Sequence, residues 1–75
     1  MAPELANAAV KACIESMSEL LEEAASLGRA TKACTEAGNV DAAFKLTLDI
    51  EPLLHEANYL IQAASTVRRR GRPTE

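Results

Sequence analysis

The sequence predicts an all-α protein: an antiparallel helical hairpin whose second helix is kinked near Pro52, paired with a copy of itself in a homodimeric four-helix bundle. Three observations lead there. Apolar residues recur at alternating gaps of three and four along two stretches, the pattern of an apolar stripe on one face of a helix. Gly38-Asn39 separates the two stretches. The second stretch also carries an extra apolar stripe that a single partner helix leaves uncovered.

The first helix opens at Pro3, which suits a first turn because its missing N–H would have no partner there, and Glu4 places an acid at the positive end of the helix dipole. A seam then runs through Val10, Cys13, Met17, Leu20, Ala24, Leu27, Thr31 and Cys34, with Ile14 and Leu21 widening it on one side. Charges at Lys11, Glu15, Glu19, Glu22 and Glu23 mostly lie off it. Gly28 costs about 1 kcal/mol relative to alanine inside a helix, and a glycine is also a good helix terminator. Thr31 and Cys34 nevertheless keep the register of the residues before it, so one continuous helix from Pro3 to about Ala37 is expected, roughly 50 Å long at 1.5 Å per residue.

Gly38 and Asn39 both tolerate the left-handed conformation that closes a helix, and Asp41 is the expected N-cap of the next one. The stretch Ala37 to Ala43 resembles the inter-helix turn of tetratricopeptide-type repeats, but no second copy follows at the required period of about 34 residues. It is read as a general helix-turn-helix connection.

The second seam is Ala43, Leu46, Ile50, Leu53, Ala57, Leu60, Ala64 and Val67. Pro52 interrupts it chemically, removing one backbone hydrogen bond and crowding the carbonyl four residues earlier, so a kink or short break is expected near Ile50 and Glu51. A second stripe, Val40, Phe44 and Leu48, lies on another face, and His55 and Tyr59 roughly continue it. A hairpin shields one seam only. Val40, Phe44, Leu48, Ile14 and Leu21 are therefore the expected interface to a second hairpin. That architecture resembles, in shape alone, the dimeric hairpins of the Rop-type plasmid copy-control proteins; no motif of theirs is matched here. The rival arrangement is a monomeric three- or four-helix bundle with true breaks at Gly28 and Pro52.

A chain of 75 residues makes one domain and buries little of its surface without a partner. Its charge is uneven. Residues 1–67 carry ten acids and four bases, a balance of −6, whereas residues 68–75 carry four arginines and Glu75, a balance of +3. The chain thus divides into a helical hairpin domain, 1–67, and a basic tail, 68–75. Arginines there also complement the negative end of the helix dipole, which is the plainest reason for them. No apolar run approaches the ~20 residues that span a bilayer, and the first residues lack a secretory pattern. The expectation is a cytoplasmic protein without membrane contact, at the nucleoid or in the nucleus if bound to DNA.

Catalytic chemistry is thin. Cys13 and Cys34 share one seam about 31 Å apart, far beyond the ~4.4 to 6.8 Å of a disulfide, and read as small reduced hydrophobes. His55 has Glu51 and Glu56 nearby, too few ligands for a metal. Glu19, Glu22 and Glu23 read as a solvated face. No glycine-rich phosphate loop, nucleophile elbow or paired-cysteine zinc spacing is present. No enzyme, cofactor or metal site is expected.

In the tail, order matters as well as charge. Arg70-Gly71-Arg72-Pro73 resembles the Arg-Gly-Arg-Pro core of AT-hook motifs, which bind the minor groove of A·T-rich DNA. The resemblance implies Arg70 and Arg72 as groove arginines, Gly71 as the residue of close approach, Pro73 favouring an extended course, and Arg68 and Arg69 as phosphate contacts. Its chemistry is the narrow, strongly negative groove of A·T tracts, which attracts arginine. AT-hooks usually carry further bases after the proline, where this chain has Thr74 and Glu75. The expected function is a small regulatory or architectural protein whose tail binds DNA. The alternative is a protein–protein interaction module, an inhibitor or adaptor, with no nucleic-acid role.

Overall fold

The structure is a computed structural model that describes residues 2–70. Among these, the chain forms two helices, α1 (Pro3–Glu36) and α2 (Val40–Arg70), packed side by side as a hairpin with extents of 56 × 15 × 13 Å. α1 begins as its sequence dictates, with Ala2 in extended conformation, Pro3 at the first helical position and Glu4 in the first turn. It runs through Gly28 without a break. A Cβ built at Gly28 would meet nothing within 4 Å, so nothing inside this chain requires glycine there.

The turn satisfies its orphan carbonyls by a Schellman arrangement. Asn39 N–H donates to the Cys34 carbonyl at 2.8 Å, Gly38 N–H donates to the Thr35 carbonyl at 3.0 Å, and Gly38 takes φ +80°. Asn39 then caps α2: its side-chain Oδ1 accepts from Ala42 N–H at 3.1 Å and its carbonyl accepts from Ala43 N–H at 3.1 Å. This corrects the expectation that Asp41 is the cap. Asp41 lies in the first turn, where its charge meets the positive end of the dipole. Gly38→Ala adds a Cβ that has room but sits on a left-handed backbone, so it is expected to lower stability by about 1 kcal/mol or more. Urea denaturation followed by circular dichroism measures it.

α2 passes through Pro52 without a break, so the third helix of the rival arrangement does not form. Pro52 and Leu48, whose carbonyl loses its helical donor to the proline, are both exposed, which lets water take the place of the missing N–H. The described part of α2 runs to Arg70, three residues beyond the Val67 end expected for the hairpin domain. Arginine is a good helix former, which suits Arg68, Arg69 and Arg70 to continue the helix.

Every residue of both expected seams is buried or half-buried. Reflecting the α1 seam through the Gly38-Asn39 junction lands on the α2 seam position for position, so Ala24 is level with Leu53, Leu20 with Ala57 and Cys34 with Ala43. Near the middle small residues meet large ones, Ala24 beside Leu53 and Leu20 beside Ala57, which lets the helices approach closely there. The half-buried Thr31 places its hydroxyl on the Leu27 carbonyl at 2.9 Å, and Thr47 donates to Ala43 at 3.0 Å. The resulting core is slight. Among the described residues only Ala6, Val10, Ala24, Ala43 and Ala57 are buried, and no large side chain is fully enclosed.

Candidate functional site

The large apolar side chains are on the outside. Ile14, Leu21, Val40, Phe44 and Leu48, the expected interface residues, are all exposed, from 41% at Leu21 to 67% at Val40. Leu5, Leu54, Tyr59 and Ile61 join them. None of these four was in the expected interface, and Leu54 and Ile61 reorganise it.

In heptad terms, Val10, Met17, Ala24 and Thr31 occupy a positions on α1, and Ala43, Ile50, Ala57 and Ala64 occupy them on α2. The e positions, four residues after each a, are Ile14, Leu21, Gly28 and Thr35 on α1, and Thr47, Leu54, Ile61 and Arg68 on α2; Val40 precedes them. Because the helices run antiparallel, the e positions of both line one side of the hairpin and the g positions line the other. The four apolar residues at 41–49% exposure, Ile14, Leu21, Leu54 and Ile61, are all e positions, which fits side chains leaning half into the seam. Each level of this side therefore carries a pair: Ile14 with Ile61, Leu21 with Leu54, Gly28 with Thr47. Phe44, at a b position, borders this side, and Leu48, at an f position, lies on the back of α2.

The opposite side is acidic. Ser16, Glu19, Leu20, Glu23, Glu56 and Leu60 line an open groove of about 310 Å³, with Ser16, Glu23 and Glu56 at g positions. The hairpin is two-faced, apolar on one side and acidic on the other.

The remaining candidates lie away from both faces, except that Arg68 continues the e register at the end of the apolar side. Arg68, Arg69 and Arg70 are exposed on the last turn of α2, where they complement its dipole. Arg70, a groove arginine in the AT-hook resemblance, is helical here, while Gly71, Arg72 and Pro73 lie outside the described residues. Cys13 and Cys34 are free, half-buried and on the seam. Among the described residues no group of three or more His, Cys, Asp or Glu is placed to hold a metal ion, and no helix is long and apolar enough to cross a membrane. No family model, curated protein or solved structure matches this chain.

Proposed function

We propose that this chain is a helical association module, a hairpin that completes its core by packing further helices on its apolar side and acts through that assembly as a small regulatory or architectural protein. The observation that supports it is the inversion of size across the hairpin: among the described residues alanines fill most of the buried positions while nine large apolar side chains are exposed. Capture from native lysate, with and without nuclease, tests it. Protein retained after nuclease supports the reading, whether that protein is the chain itself or another. A chain that retains no protein and stays monomeric overturns it.

A second reading gives the arginine end a role in binding A·T-rich DNA. It rests on three exposed arginines on one helical turn, continued in sequence by Gly71-Arg72-Pro73. Binding to fluorescent duplexes should then favour A·T-rich over G·C-rich sequence, Arg72→Ala should abolish that preference, and Arg68→Ala should weaken all sequences alike. Four phosphates neutralised by one tail give a log–log salt slope of up to about −3.6. A chain ending at Val67 that binds as well as the whole excludes this reading.

A further inference from the structure

We infer that the occupant of the apolar side is a second copy of this hairpin, packed antiparallel to the first with Leu21 and Leu54 at the centre, an inference that rests on the association reading above. Area sets the need. Among the described residues only four alanines and Val10 are buried, while Ile14, Leu21, Leu54 and Ile61 keep 41–49% of their surface in water. A second copy on that side would cover them within an interface of standard size, about 800 Å² per partner.

Charge selects the face. Two copies meeting through the acidic groove would set Glu19, Glu23 and Glu56 against their own images, whereas the apolar side has no acid at Ile14, Leu21, Gly28, Thr47, Leu54 or Ile61. Charge also selects the orientation. Parallel hairpins would bring two sets of Arg68, Arg69 and Arg70 to one end, and antiparallel hairpins hold them at opposite ends.

Shape fixes the register. Rotation about an axis through the Leu21 and Leu54 level lays the Ile14 and Ile61 level of each copy on the Gly28 and Thr47 level of the other. Bulk meets a gap at both places. Gly28 thereby acquires a reason that the single chain does not supply: its Cβ would have open space in the hairpin but would occupy the volume that the second copy's isoleucines fill. The face is isologous, as a two-fold dimer requires.

Sedimentation equilibrium of the full chain should give a dimer at about 10 µM, a dissociation constant in the micromolar range or below. A monomer at ten times that concentration overturns self-pairing, and if lysate capture still yields a protein, the association reading survives without it. Gly28→Leu should raise the dissociation constant at least tenfold while keeping or increasing helical circular dichroism, because leucine favours the helix; an undiminished dimer overturns the layering. Orientation is read separately. On a Cys13→Ala, Cys34→Ala background, spin labels at Ala8→Cys should lie roughly 40 Å apart across an antiparallel dimer centred on Leu21, from twice the helical rise between the two positions. A separation near the width of a bundle, about 25 Å or less, would mean parallel hairpins and overturn the arrangement.

Discussion

Replacing Pro52 with alanine will stabilise the protein by about 2 to 3 kcal/mol, the reverse of the usual effect of truncating a side chain. Pro52 lies in the interior of α2, twelve residues after its first residue Val40. It contributes no N–H, and its ring crowds the Leu48 carbonyl. Its side chain is exposed, so little packing is lost with it. Alanine restores the donor to Leu48 and is the best helix former. For a chain of this size the gain corresponds to a rise in melting temperature of roughly 10 to 20 °C. Calorimetry of the two proteins at equal concentration measures it, and an unchanged or lower melting temperature would show that the proline conformation is itself needed for packing.

Its neighbour should respond in the opposite sense. Leu53→Ala removes a half-buried seam side chain level with the buried Ala24, where alanine facing alanine leaves nothing to fill the space. The expected loss is at least about 2 kcal/mol, the lower end of the leucine-to-alanine range because Leu53 is not fully enclosed. In a domain whose total stability is on the order of 5 kcal/mol, that leaves a substantial unfolded fraction on mild warming. A melting temperature within a degree or two of the parent would mean that Leu53 does not lie in the seam. The adjacent substitutions also calibrate one another, since both change α2 at the same level and only one touches the core.

The hairpin itself was legible because periodicity reports burial directly. Two sets of positions with gaps of three and four, mirrored about Gly38-Asn39, are the two sides of one interface, and all are buried or half-buried. The continuity of α1 through Gly28 followed from the same register. The cap was ambiguous because Asn39 and Asp41 are both good N-cap residues, and only the backbone decides which one precedes the first helical turn. Leu54 and Ile61 were passed over for a different reason. The stripe Val40, Phe44, Leu48 follows spacing of four around one helix, whereas the side they belong to is defined by seven-residue spacing and by which flank of α2 lies beside Ile14 and Leu21. One helix alone does not contain that information. The signal was present as the run Val40, Thr47, Leu54, Ile61, but its meaning depends on the antiparallel sense of the pair.

The length of the hairpin has a consequence for any nucleic acid it meets. In an antiparallel dimer centred on Leu21 and Leu54, the two arginine turns would lie at the ends of a rod about 45 Å apart, twice the helical rise from Leu54 to Arg69, and not side by side. At 3.4 Å per base pair that separation corresponds to about 13 base pairs. If the arginine ends bind A·T-rich DNA, the assembly would act as a ruler: two A·T tracts centred about that far apart would be engaged together and gain from effective concentration, while tracts much closer would be engaged one at a time and gain nothing from the second.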